Sequence, residues 1–115
     1  MAGFGDRKVG TAMILAGDVG GTKTLLALYR EADHGLLEIG RRRFASRSYG
    51  RFEDMLAEFL AEGPAGHPAA ACFAVAGLVV DGAAVATNLP WRFDEVALAE
   101  ATGASRCKLL NDVEA

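Results

Sequence analysis

Met13-Ile14-Leu15-Ala16-Gly17-Asp18-Val19-Gly20-Gly21-Thr22-Lys23-Thr24 is the stretch that decides how this chain folds. Its first seven residues form an apolar run short enough for a buried strand, ending in glycines. A second apolar run follows at residues 24–29. Periodicity alone leaves Leu25-Leu26-Ala27-Leu28 open to either strand or helix. The tight Gly20-Gly21-Thr22 link favours a hairpin, on the expectation that glycine supplies the positive φ of such turns.

Outward from that hairpin, residues 36–49 read as a third strand on a sheet edge. Its Arg41-Arg42-Arg43 cluster is expected to be a solvated face that discourages edge pairing. Residues 51–62 are the clearest helix: Phe52, Met55, Leu56, Phe59 and Leu60 form one apolar stripe, with Glu53, Asp54, Glu58 and Glu62 facing out. Gly63-Pro64 should stop it, glycine taking a left-handed cap and proline refusing to continue. Residues 69–76 read as a fully buried strand, and 78–86 as a hairpin about Asp81-Gly82. Asp94 is placed to cap a helix over 95–102, closed by Gly103, and 108–112 is a last buried strand. The order β-β-β-α-β-hairpin-α-β implies an α/β mixed sheet: three antiparallel strands, then β-α-β crossovers, with helices on its faces. Residues 1–12 have no period and read as a disordered tail, leaving 13–115 as the domain. The last apolar strand lies so near Ala115 that the chain is expected to be a piece of a longer protein.

Composition narrows the function classes. With 51% hydrophobic and 23% charged residues, the chain can build a core without disulfides. A net charge of −3 and no basic stripe argue against nucleic acid as a partner. The run at 69–76 is far short of the ~20 apolar residues that span a bilayer, so no membrane partner is expected. Asp6, Arg7 and Lys8 have no apolar stretch behind them, against a secretory signal. Cys72 and Cys107 fit no metal spacing and read as buried reduced thiols of a cytoplasmic protein. His34 and His67 are isolated and suggest no zinc pair.

Three short segments carry candidate chemistry. In Gly17-Asp18-Val19-Gly20-Gly21-Thr22-Lys23-Thr24 neither the Walker A spacing nor the dinucleotide fingerprint is present. What remains is a carboxylate at a strand end, two glycines whose N–H groups can close on an anion, a hydroxyl and a cation. A phosphate beside Asp18 would be repelled unless a cation lay between, which implies Mg²⁺ held through water. The competing reading is an ordinary Gly-Gly hairpin with an exposed Asp. Asn111-Asp112 leaves a strand end, where open α/β sheets place ligands; burial would make Asp112 a base and Asn111 could hold a hydroxyl. That pair reads equally as a turn or helix cap. Thr87-Asn88-Leu89-Pro90-Trp91 offers an amide and a flat ring to a sugar, or a Trp that anchors a loop on the core. Glu114 is either a site member or the first turn of a following helix.

Taken together, Gly17-Asp18-Val19-Gly20-Gly21-Thr22, Phe73-Ala74-Val75-Ala76-Gly77, Thr87-Asn88-Leu89-Pro90-Trp91 and Leu110-Asn111-Asp112-Val113-Glu114-Ala115 occur in the order seen in bacterial glucokinases. The chain resembles the N-terminal lobe of that family, within the sugar kinase/actin/Hsp70 superfamily and its ribonuclease-H-like sheet. The resemblance implies a two-lobed sugar kinase whose second lobe is absent from these residues. It implies that Gly17, Asp18, Val19, Gly20, Gly21 and Thr22 form the loop for ATP and that Asp18 helps place Mg²⁺. It implies that Asn111 binds a sugar hydroxyl, that Asp112 is both sugar ligand and general base, and that Asn88 and Trp91 shape the sugar side. The expected partner is glucose or a related hexose. The fragment alone is expected to be inactive, since half a cleft excludes no water. Apolar surface left open by the missing lobe favours a homo-oligomer. A truncated non-catalytic relative, a sugar-sensing protein of the same fold, or a kinase for another hexose stand as alternatives.

Overall fold

Both apolar runs of the opening stretch are strands, and the glycines between them turn the chain back on itself. The computed structural model describes residues 12–111; the bulk of the expected tail, the expected base Asp112, and Glu114 lie outside the described residues. The elements are β1 (Met13–Val19), β2 (Lys23–Ala32), β3 (Gly35–Ala45), a 3-10 turn (Ser46–Ser48), α1 (Phe52–Glu62), β4 (Ala70–Val75), β5 (Val79–Val80), β6 (Ala83–Val85), β7 (Arg92–Asp94), α2 (Glu95–Thr102) and β8 (Arg106–Asn111). The main sheet runs β3-β2-β1-β4-β8. β1, β2 and β3 are antiparallel, whereas β4 lies parallel to β1, and β8 parallel to β4. A second, antiparallel sheet is β5-β6-β7. This is the expected mixed sheet of three antiparallel strands followed by crossovers.

Alternation decides which face is covered. Leu15 and Val19 of β1, Leu26 and Leu28 of β2, Phe73 and Val75 of β4 and Leu109 of β8 are buried in one core with Phe52, Met55, Leu56 and Phe59 of α1 and Leu98 of α2. Both helices therefore lie on that one face. Phe52 is the hub: its ring is 5.1 Å from Phe73, 5.2 Å from Phe93 and 5.5 Å from Trp91. Burying side chains of this size stabilises the fold by roughly 1.5–3 kcal/mol each before entropy.

Local chemistry sets the element ends. Asp81 (φ 52°) and Gly82 (φ 76°) both take positive φ, the geometry of a tight hairpin turn. Asp94 caps α2 by accepting from the Val96 and Ala97 N–H groups, and Gly103 closes it at φ 79°. Six expectations are corrected. Gly63 is extended (φ −94°, ψ −172°), not left-handed, so α1 stops because Pro64 cannot donate to the ladder. The third strand ends at Ala45, where the chain folds into the 3-10 turn. β8 buries only Leu109, because it is an edge strand. β7 is an added strand, three residues being too few to show a period. The arginine trio is split by alternation: Arg42 turns toward α1, bonds Glu58 and Glu62 and lies 4.4 Å over the Phe44 ring, while Arg41 pairs with Glu38. Cys72 and Cys107 are free thiols, but half-buried rather than buried.

Candidate active site

The parallel strands bring the separated motifs to one edge. Val19 is level with Val75, and Val75 with Asn111. Two strand spacings, about 10 Å, therefore separate the end of β1 from the end of β8. Asp18 and Asn111 are both exposed there, at the carboxyl ends of parallel strands, where open α/β sheets bind ligands. Asp112 would directly continue β8, but it lies outside the described residues.

The glycine turn rests on buried hydroxyls. The Gly20 N–H donates to the Lys23 carbonyl at 3.0 Å, and the Ser46 N–H donates to the Thr22 carbonyl at 2.9 Å. Ser46 Oγ donates to the Gly20 carbonyl at 2.7 Å and lies 2.8 Å from Thr24 Oγ1. A hydroxyl has one proton; Ser46 gives its own to Gly20, so Thr24 must donate to Ser46. Thr24 and Ser46 are both 0% exposed. Neither residue stood out in the sequence, as a lone Thr or Ser after a strand carries no signal.

The expected reason for the glycines is corrected. Neither Gly20 nor Gly21 has positive φ. Close approach is what requires Gly20, where a Cβ would sit 2.8 Å from the Lys23 carbonyl oxygen; one on Gly21 would sit 3.2 Å from Asn88 Cβ, tight enough that the Asn88 side chain must shift slightly. Gly17 is a ladder residue whose Cβ would meet Phe73 at 2.7 Å and Leu26 at 2.9 Å, so the turn proper begins beyond it. Val19 likewise points into the core, at 2% exposure.

The same close approach brings the Thr87–Trp91 loop to the turn. Thr87 donates to the Ala76 carbonyl through both its N–H (3.0 Å) and its hydroxyl (2.5 Å), pinning the loop to the end of β4. Asn88 is exposed against Gly21. Trp91 does not offer its face to a ligand. It is 2% exposed, packs on Phe52 and Phe93, and donates its indole N–H to the Tyr49 carbonyl at 3.1 Å. The anchoring reading of Trp91 is the one observed.

One end of the sheet thus carries an exposed carboxylate (Asp18), a glycine turn with exposed Thr22 and Lys23 beside it, and two amides (Asn88 and Asn111). Among the described residues no group of three or more His, Cys, Asp or Glu gathers to hold a metal. A single carboxylate beside a glycine turn fits Mg²⁺, which keeps several waters and takes one or two carboxylates plus phosphate oxygens.

A family model described as Glucokinase matches residues 15–115. The glucokinase of Nostoc punctiforme is 36% identical over 104 residues, which cover 90% of this chain and 30% of that protein. The crystal structure of a glucokinase from an Antarctic psychrotroph matches with a TM-score of 0.77 at 28% identity, covering 87% of this chain and 32% of that one. That of Balamuthia mandrillaris glucokinase in complex with glucose matches with a TM-score of 0.66 at 25% identity, covering 90% and 30%. The chain spans about 30% of the length of the curated relatives it matches. Glycine turn, Thr87–Trp91 loop and closing strand occur together in a stretch that the family model matches almost throughout, and on that ground the chain belongs to the glucokinase family.

Proposed function

We propose that these residues form the phosphate and sugar-side edge of an ATP-dependent kinase that phosphorylates glucose on its 6-hydroxyl. The observation that carries the reading is the contact of Asn88 with Gly21, with Asn111 level with Val19 on the same sheet edge. Phosphoryl transfer asks a protein mainly for positioning and charge neutralisation. Gly21 and Thr22 cradle the phosphates of ATP with N–H and hydroxyl donors, the Gly20 N–H closing the turn on the Lys23 carbonyl and Gly17 and Val19 holding that turn against the core. Asn88 and Asn111 hold sugar hydroxyls. Asp112 takes the proton of the 6-hydroxyl as that oxygen attacks the γ-phosphorus and the bond to the ADP oxygen breaks. Asp18 would hold Mg²⁺, which when bound supplies positive charge to the phosphate oxygens. No helix among the described residues is long and apolar enough to cross a membrane. The cytoplasm, where ATP is available, is the compartment this activity needs.

The test is a chimera in which residues 15–115 replace the matching stretch of Nostoc punctiforme glucokinase. A coupled assay should register ATP-dependent turnover of glucose by the chimera and none by the 115-residue chain alone. In the chimera, Asp112→Ala should lower kcat by at least ~10²-fold, the usual scale for a general base. A chimera that folds but cannot phosphorylate glucose, or an Asp112→Ala variant with near-normal turnover, overturns the assignment.

A further inference from the structure

β8 carries Asn111 at its end, and Asp112 follows it in the sequence, yet it is an edge strand, paired among the described residues with β4 alone. A strand held on one side leaves N–H groups facing outward, and one that is taken partly out of water must find an acceptor. The Leu109 N–H finds Glu95, donating to Oε2 at 2.8 Å in a part-buried bond. Because the acceptor is a carboxylate, the bond is charge-assisted and stronger than a neutral one. Leu109 itself is 2% exposed and level with the buried Phe73 of β4.

Glu95 is in turn held in place. It is the first residue of α2, and Asp94 caps that helix by accepting from Val96 and Ala97, which leaves the Glu95 carboxylate free for the strand. The Glu95 N–H donates to the Gly82 carbonyl at 2.9 Å, and a Cβ on Gly82 would lie 2.9 Å from Glu95 Oε1. The hairpin turn therefore closes on one carboxylate oxygen while the other serves β8. Three elements that are separate in sequence meet at this one side chain, two residues short of Asn111.

We propose that Glu95 is a positioning residue for sugar phosphorylation: its carboxylate pins the outer edge of β8 and so sets where Asn111 and Asp112 meet the sugar. This rests on the kinase reading, in which those two residues serve the sugar. A misplacement of ~1 Å at a reacting group can cost about 10²-fold in rate. The glycine turn is bonded through Lys23 and Ser46, and neither touches Glu95 or its partners, so the ATP side does not depend on this contact. An acid in the first turn of a helix also favours the helix through its dipole. That effect needs the charge, whereas holding an N–H needs only an oxygen.

Glu95→Ala and Glu95→Gln test the proposal, with circular dichroism to verify folding. In the 115-residue chain, hydrogen exchange over residues 108–111 should quicken at least about tenfold in Glu95→Ala, the counterpart of one charge-assisted bond, and less than about threefold in Glu95→Gln. In the chimera with residues 15–115, Glu95→Ala should raise KM for glucose and lower kcat/KM for glucose at least about tenfold, with KM for ATP within about twofold. Glu95→Gln should stay within about threefold of the parent chimera. A role confined to stability would lower the active fraction and leave both KM values alone. Unchanged exchange in Glu95→Ala, an unaltered KM for glucose, or a glutamine variant as impaired as the alanine one overturns the proposal. A folded parent chimera without turnover overturns the kinase reading instead, and the exchange comparison then decides by itself whether Glu95 holds β8.

Discussion

Replacing Ser46 by alanine probes what holds the glycine turn in shape. The substitution removes the 2.7 Å bond to the Gly20 carbonyl and the 2.8 Å bond from Thr24. Each bond contributes about 1 kcal/mol net, and the Thr24 hydroxyl, at 0% exposure, is left without that partner. Because it orphans a buried hydroxyl, loss of the Thr24 bond costs ~1–3 kcal/mol instead, so with the Gly20 bond Ser46→Ala should destabilise the chain by about 2–4 kcal/mol. Thr24→Val keeps the side-chain shape and leaves the Ser46 bond to Gly20 in place, for a loss of about 1 kcal/mol. The double variant no longer strands the Thr24 hydroxyl, so it should fall short of the sum by about 1 kcal/mol, the signature of direct coupling. Urea unfolding measures all four chains: with m of ~1–3 kcal/mol/M, Ser46→Ala should lower the midpoint by about 1–2 M. A Ser46→Ala midpoint within ~0.3 M of wild type, or strictly additive effects, would show that the hydroxyl pair does not support the turn.

Gly77→Ala should destabilise by about 1–3 kcal/mol, since its Cβ would overlap the Val85 carbonyl oxygen, a backbone atom that cannot rotate away; an unchanged thermal midpoint refutes that reading. The two thiols should differ in reactivity. Burial first, then Glu95 and Cys72, push Cys107 up to about 12 from an ordinary 9.0, whereas Lys108 offsets part of the upward push of burial on Cys72. Cys107 thiolate is thereby depleted about 10³-fold at pH 8, so iodoacetamide should label Cys72 first, with mass spectrometry of the digest as the check. The unfolded thiol ionises below the folded one, so stability gained from Cys107 is lost as pH rises from 9 to 12, and Cys107→Ser should flatten that part of the curve.

The glycine turn illustrates how a correct motif can carry an incorrect reason. Sequence reasoning assigned Gly20 and Gly21 to a hairpin because glycine tolerates positive φ, whereas neither uses it. What crowds a side chain at Gly21 is Asn88, a residue 67 positions later, and no local pattern announces such an approach. Trp91 makes the same point in reverse: a Trp in a Pro-containing loop is compatible with sugar stacking until Phe52 and Phe93 are seen to enclose it.

Most strand and helix identities, the Asp81-Gly82 turn and the Asp94 and Gly103 caps were legible in the residues themselves, because period, cap and turn chemistry act over a few neighbouring positions. The split of the three arginines, the three-residue β7, the burial of Trp91 and the Thr24–Ser46 pair were decided only by tertiary structure. So was the alignment of Asn111 with Val19, which gives the edge its two amides and its carboxylate. Each of these depends on strand order and register between segments tens of residues apart, and the energies that select them arise only when the sheet closes over a shared core.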